Sequence, residues 1–277
     1  FRKGFIHAFM YYLQFFHRIF FTRIIKIRHL YYPSDLKKLV NSIKYTKKKI
    51  TKNDLFIIPN DNQSGPVNLK LTSINIKIDS YPDWNETFED PENTLSLNRW
   101  NWLLSCITDN KNSVSSIWGT NMIKSYINHM TALPNGIRSE SYTVAERISN
   151  LCIFYRSIEN NWTSIPNELQ PVLLEMSYHL IDNLEFHNGD LTGNHIVNNA
   201  RALIVCGYSI NQPEFVDIGK MILLKMLPKL VDQGGFLREG SSHYQFLFSR
   251  WMLELRIVGE ENKDFELLNI LNSVLFN

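Results

Sequence analysis

From Ser96 to its last residue the chain repeats apolar positions at helical spacing, and nowhere in that span does it alternate with the period of two that a half-buried strand requires. That pattern predicts helices near 96 to 108, 113 to 132, 142 to 158, 167 to 187, 194 to 209, 213 to 231 and 242 to 258, with a last one after 263. Links as short and polar as Thr108-Asp109-Asn110-Lys111-Asn112 favour antiparallel neighbours, which build a bundle, a solenoid or a ring of helical hairpins. No internal sequence repeat is present, so a ring or irregular array is expected over a consensus solenoid. The expected class is all-α.

The first 80 residues differ. Tyr11, Tyr12, Phe15, Phe16, Ile19 and Phe20 recur at helical spacing, and Pro33-Ser34-Asp35 breaks the run before a second helix. Leu55-Phe56-Ile57-Ile58 is a short apolar run closed by Pro59. Leu69-Lys70-Leu71 and Ile74-Asn75-Ile76-Lys77-Ile78 alternate strictly but slip phase at Thr72-Ser73, the signature of a bulge. Asn60 to Pro66 has turn composition, so a short extended or β arm is expected over 54 to 80. The division expected from these changes is 1 to 80, then a helical domain over 81 to 277.

Composition narrows the function classes. A 44% hydrophobic content spread over 277 residues closes a substantial core, so disorder is not expected. The net charge of +2, with both signs interspersed, gives no reason to expect a nucleic-acid partner, and the basic run Lys47-Lys48-Lys49 reads as a solvated face. Cys106, Cys152 and Cys206 sit singly in apolar helical surroundings, without the spacing of a zinc site or disulfide framework, and read as buried thiols. The aromatic stretch Phe5 to Phe21 is interrupted by His7, Gln14, His17 and Arg18, which suits an amphipathic helix and not a membrane span.

The most informative stretch is Gly193 to Gly207. Ile196, Ala200, Leu203 and Gly207 lie on one helical face, as packing demands. The first turn instead gathers Asn194, His195, Asn198 and Asn199, polar groups that are costly to bury without partners. A helix N-terminus already offers unpaired N–H groups and partial positive charge, so these donors suit a carboxylate, although a capping cluster explains the same residues.

Two more clusters bear on chemistry. Ser141 to Asn150 opens a helix with Thr143 as its expected cap and Glu146 at capping-box spacing, and it sets Arg147 and Asn150 on one face. An inward arginine needs a partner; a bidentate carboxylate is its best one, and an internal ion pair with Glu146 or Glu239 is the plain alternative. Gln233-Gly234-Gly235 then delivers the polar loop Phe236 to Ser242 into a helix whose stripe of Tyr244, Phe248, Trp251 and Leu255 predicts an inward Tyr244. His243 and Gln245 flank that tyrosine.

Gly193-Asn194-His195 followed by Asn199-Ala200-Arg201-Ala202-Leu203, and later Gly234 to Tyr244 in the pattern Gly-Gly-x-x-x-Glu-x-Ser-x-x-Tyr, resemble the helical N-terminal domain of heparinase II/III-like polysaccharide lyases. The heparinase III-type proteins of bacterial surface-polysaccharide loci are the most similar in pattern. Trp84 to Trp102, Tyr142 to Asn150, Glu185 to Gly207 and Asp232 to Tyr244 carry the likeness in order and spacing, and it spans about residues 80 to 258. It implies an incomplete (α/α) toroid of helical hairpins followed by a C-terminal β-sandwich domain that this chain lacks. It also implies that Asn194 and His195 neutralise a uronate carboxylate while Tyr244 acts as acid and base. Gln245 stands where relatives commonly carry His.

Eliminative cleavage removes a weakly acidic proton beside the carboxylate and expels the glycosidic oxygen, so donors that spread charge onto that carboxylate lower the barrier. The catalytic expectation is therefore Tyr244, His195 and Asn194, with Arg147, Asn150, Asn198, Asn199, Glu239, His243 and Trp100 as substrate contacts. No metal and no cofactor is required, and an acidic polysaccharide is the expected partner. Periplasm or cell surface is the expected compartment for a bacterial chain, with cytoplasm left open. Two rivals share the scaffold: a glycoside hydrolase, for which Asp190 or Glu239 would supply carboxylates, and a non-catalytic glycan-binding toroid using Trp84, Trp100, Tyr142 and Trp251.

Overall fold

Side-chain chemistry at the helix ends sets the element order. The computed structural model describes residues 31–43, 56, 67–108, 116–129, 136–187 and 192–275. Its helices are α1 Ser34–Ser42, α2 Pro91–Arg99, α3 Asn101–Thr108, α4 Ser116–His129, α5 Ser141–Glu159, α6 Gln170–Asp182, α7 His195–Ser209, α8 Pro213–Leu230, α9 Ser242–Glu261 and α10 Phe265–Leu275. Two short strands, β1 Val67–Lys70 and β2 Asn75–Ile78, precede α2. The described protein is thus predominantly helical, as the periodicity predicts.

The helices start and stop where local physics requires. Asp90 accepts from the Glu92 N–H at 2.9 Å, and Pro91 follows it at the first helical position, where its missing N–H costs nothing. Ser241 caps α9 by accepting from the Tyr244 N–H. The single helix expected over 96 to 108 is instead broken at Trp100, which adopts a left-handed φ of 62° and ends α2. Thr143 is not the cap of α5: the helix begins at Ser141 behind Glu140, and the Thr143 hydroxyl donates to the Glu140 carboxylate at 2.8 Å.

The phase slip at Thr72-Ser73 is a turn and not a bulge. β1 and β2 pair antiparallel across it, with Val67 opposite Ile78 and Leu69 opposite Ile76, and Leu71 N–H donates to Ile74 C=O at 2.9 Å. Val67, Leu69 and Ile78 are buried while Asn68, Lys70 and Lys77 face water, the division that alternation anticipates. The amphipathic segment 5 to 21, the basic run 47 to 49, the Leu55 to Ile58 run save for Phe56, and the expected turn 60 to 66 lie outside the described residues. Among the described residues, no helix is long and apolar enough to cross a membrane.

Two compact units divide the chain. One holds residues 1–45, 179–204 and 216–277, and the other 46–178 and 205–215. The second unit is built on an aromatic core. Trp84 stacks on Trp102 at 6.3 Å and meets Tyr126 edge-on at 5.1 Å, while its indole N–H donates to Ser125. Cys152 and Cys206 are buried free thiols there, and burial pushes the Cys152 thiol well up.

In the first unit α8 lies tightly on α7. A methyl on Gly219 would meet the Ile204 side chain and stand 2.8 Å from the Ala200 carbonyl oxygen, so only glycine fits. Gly219→Ala is expected to lower the unfolding free energy by about 1 to 3 kcal/mol, as overpacking of a rigid core does. Chemical denaturation monitored by circular dichroism measures the loss; an unchanged midpoint would mean that α8 does not sit this close to α7.

Candidate functional site

Helix α7 is the structural origin of the site because every residue from Ile196 to Gly207 is buried, on all faces and not only on the predicted stripe. Its polar residues must therefore find partners inside the protein. Asn194 precedes the helix, its carbonyl accepting from the Val197 N–H at 2.9 Å, and is 5% exposed. Its own backbone N–H donates to Glu239 Oε1 at 3.1 Å and its Nδ2 to Glu239 Oε2 at 3.1 Å, so one glutamate spans both donors. A Cβ on Gly193 would stand 3.3 Å from Glu239 Oε1, and its absence leaves the carboxylate room to approach. The helix end takes a carboxylate, as its donors predict, and the carboxylate it takes is the protein's own.

A second glutamate serves the neighbouring side chains. Glu185 Oε1 lies 3.1 Å from His195 Nδ1, Glu185 Oε2 accepts from Asn199 Nδ2 at 3.2 Å, and the Glu185 N–H donates to Asn199 Oδ1 at 3.1 Å. The reciprocal Glu185–Asn199 pair fixes the carboxylate, and the carboxylate fixes one edge of an imidazole whose side chain is 53% exposed. One turn further, Asn198 Oδ1 accepts from Arg201 Nη1 at 2.6 Å, and Arg201, wholly buried, pairs with Glu254. Asn198 and Asn199 are wholly buried, which leaves them no surface for the substrate contact expected of them, and Asn198 Nδ2 has no hydrogen-bond partner among the described residues.

The loop before α9 carries the other half of the site. Asp232 Oδ1 accepts from Gly234 and Phe236 N–H at 2.8 and 2.9 Å, and Gly235 and Gly240 take left-handed φ values of 79° and 68° that suit glycine. Gln245 works on this loop: its Oε1 accepts from Leu237 N–H at 2.8 Å and its Nε2 donates to Gly235 C=O. Glu239 thereby reaches Asn194 across 45 residues. Glu239 stays exposed, and both of its carboxylate oxygens are taken by Asn194.

Tyr244 does not face inward. Phe248, Trp251 and Leu255 are buried as the stripe predicts, but Tyr244 sits one turn earlier, 45% exposed, at the point where α9 emerges. Its ring lies 5.8 Å from that of His243, also exposed, and its hydroxyl has no hydrogen-bond partner among the described residues. A phenol in that position is open to an incoming molecule.

Arg147, Asn150 and Trp100 belong to the other compact unit and are used up there. The Arg147 guanidinium donates to the Asn98 carbonyl at 2.7 Å and the Arg138 carbonyl at 2.9 Å, and lies 5.0 Å over the Tyr126 ring. Burial pushes its pKa down, opposed by the Tyr126 phenol. Neither Glu146 nor Glu239 is its partner among these contacts. Asn150 Nδ2 donates to the Arg99 carbonyl and to Asn101 Oδ1, and Trp100 is wholly buried. None of the three offers surface to a glycan: Arg147 and Asn150 close backbone carbonyls of Asn98, Arg138 and Arg99, and the Trp100 ring packs edge-on to Tyr126 at 4.9 Å.

The residue that sequence reasoning passed over is Glu185. Its signal was available, since a carboxylate ten residues before the Gly-Asn-His turn is a ready partner for the histidine, but only the fold brings it within bonding distance. Asp190, offered for a hydrolase, lies outside the described residues. Among the described residues no group of three or more His, Cys, Asp or Glu side chains could hold a metal ion. No protein-family model, no curated protein and no solved structure matches this chain.

Two outcomes follow for stability. Asn194 and Glu239 should couple by about 1 to 3 kcal/mol in a double-alanine cycle read by urea unfolding, since the cycle isolates the charge-assisted Nδ2 bond while the backbone N–H of residue 194 remains; simple additivity would mean that the Nδ2 bond is not formed. Arg147→Lys should cost on the order of 3 kcal/mol by the same measurement, because an ammonium is unable to span the two carbonyls that the guanidinium fork reaches.

Proposed function

We propose that this chain is a polysaccharide lyase of the heparinase II/III type, built on an incomplete (α/α) toroid, that cleaves a uronate-containing glycan by β-elimination. The observation that carries the reading is the Asn194–Glu239 clamp. It joins the two stretches that bear the family resemblance, the Gly193-Asn194-His195 turn and the Gly234 to Tyr244 loop, at one helix end. His195 and Tyr244, the residues assigned to the chemistry, are both half-exposed beside those stretches.

The clamp also refines what Asn194 does. With Nδ2 donating to Glu239, the orientation of the amide is decided, and the second hydrogen on that nitrogen is the one left for a substrate carboxylate. Glu239 is then a positioning residue for Asn194. In the elimination the C–H bond beside the uronate carboxylate breaks and its electron pair forms a carbon–carbon double bond, while the glycosidic C–O bond breaks and its oxygen leaves with a proton. Tyr244 exchanges those protons; Asn194 and His195 favour the charge as it spreads onto the carboxylate.

The rivals fare worse on specific residues. Trp84, Trp100 and Trp251, which a glycan-binding module would present as stacking platforms, are 2%, 0% and 1% exposed. Of the two carboxylates offered for a hydrolase, Glu239 is held by donors from this chain.

Tyr244→Phe is expected to reduce cleavage of acidic glycans by about 10² to 10⁴-fold while leaving glycan binding within twofold. The assay is the ultraviolet absorbance of the unsaturated uronate product. Full activity in the variant would remove Tyr244 from the mechanism, and reducing ends formed without that absorbance would replace elimination by hydrolysis.

A further inference from the structure

We infer that the outward face of α9 is a self-association surface, on which a second copy of this chain lays its own α9 antiparallel. Phe246, Leu253 and Ile257 are 79%, 59% and 45% exposed, whereas Phe248, Trp251, Met252, Leu255 and Val258 on the inner face of the same helix are buried. Single exposed apolar side chains are ordinary on a protein surface. Three in line along one helix make a contiguous patch, and contiguous patches are where partners bind. Phe246, Arg250, Leu253 and Ile257 are spaced by four, three and four residues, which is the seam spacing of helices packed side by side. That spacing reads the same from either end. The seam therefore matches a copy of itself running in the opposite direction, as an isologous contact requires. Antiparallel alignment sets Phe246 of each copy against Ile257 of the other, with Leu253 beside the two-fold axis.

The distribution of charge selects this occupant. The first turn of α9 carries the positive end of the helix dipole and the exposed His243, and the last turn carries the exposed Glu260 and Glu261. Antiparallel pairing brings each positive end to the acidic end of the other copy, whereas parallel pairing would set like ends together. The flanks of the seam are polar. Arg250 reaches Glu254 at 3.4 Å along one side and Arg256 reaches Glu260 at 2.8 Å along the other, the polar rim that surrounds an apolar interface centre. Arg250 can lay its stem along the seam while its head stays with Glu254. Tyr244, two residues before Phe246, lies across the helix from the seam, so pairing leaves its phenol open. Self-association through this face stands whether or not the chain cleaves a glycan.

Sedimentation equilibrium of the full chain over a concentration series tests the surface. One helix pair sits at the small end of protein interfaces, so a reversible dimer with a Kd on the order of 1 to 100 µM is expected. Leu253→Asp should raise that Kd at least about 100-fold, because each dimer would then bury two unpaired carboxylates. Its circular dichroism should match the unmodified protein, since Leu253 is exposed in the single chain. The alignment is read by disulfide cross-linking of an equimolar mixture of Phe246→Cys and Ile257→Cys, with the unmodified chain as the baseline for the native cysteines. The mixed pair should link, and Phe246→Cys by itself should link far less. A monomer at every concentration overturns the inference and leaves α9 to a different partner, and a dimer that Leu253→Asp leaves intact overturns it as well. Phe246→Cys linking to itself as readily as to Ile257→Cys overturns the antiparallel alignment. Should Leu253→Asp not fold, the cross-linking decides.

Discussion

A helix buried on every side must settle each polar group it carries, and α7 carries four within its first seven residues: His195, Asn198, Asn199 and Arg201. An unpaired buried amide costs about 1 to 3 kcal/mol and an unpaired buried charge more, so the surrounding chain is constrained to bring acceptors to specific points. It does so with carboxylates. Glu239 reaches Asn194, Glu185 reaches His195 and Asn199, and Glu254 reaches Arg201. The Asp232 turn, the left-handed glycines and the Gln245 bonds that shape the loop before α9 are all means of placing Glu239 at the helix end.

The second compact unit meets a similar demand without acid. Arg147 is as buried as Arg201, yet its guanidinium is answered by two backbone carbonyls and an aromatic face, and Nη1 has no hydrogen-bond partner among the described residues. Those carbonyls are available because α2 ends at Trp100 in a left-handed conformation and Gly136–Ser139 forms a single 3-10 turn, each leaving C=O groups outside a helix ladder. A cation that closes broken backbone is a structural element. In the first unit Arg201 instead meets the Glu254 carboxylate, and the donors at the start of α7 meet Glu185 and Glu239 where His195 and Tyr244 are exposed.

Helix existence was legible because an apolar period of 3.6 residues, sustained over ten or more positions, arises when one face of a helix is buried and matches no strand or loop geometry. The expected helices over 142 to 158, 194 to 209 and 213 to 231 agree with α5, α7 and α8 to within a residue or so at each end. Short-range signals were less reliable. Thr72-Ser73 interrupts an alternation, and the same interruption suits a bulge or a two-strand turn; strand pairing decides it. Thr143 has the spacing of a capping box, but Glu140 takes the N-cap position and the Thr143 hydroxyl. Tyr244 shares the stripe of Phe248 and Trp251, but a stripe says nothing about where along the helix the neighbouring wall ends, and it ends before Tyr244.

Sequence by itself determined that the protein is mostly helical, that the start of α7 concentrates polar donors, and that a glycine-rich loop precedes Tyr244. Local periodicity and residue chemistry are enough for that, since each depends on neighbours within a few positions. Tertiary structure alone decided what those donors hold. Asn194 and Glu239 are 45 residues apart, and Arg147 faces carbonyls and not a carboxylate. Which acceptor reaches a buried donor depends on how separate helices pack, and packing depends on the shapes of whole faces and not on any short run of residues.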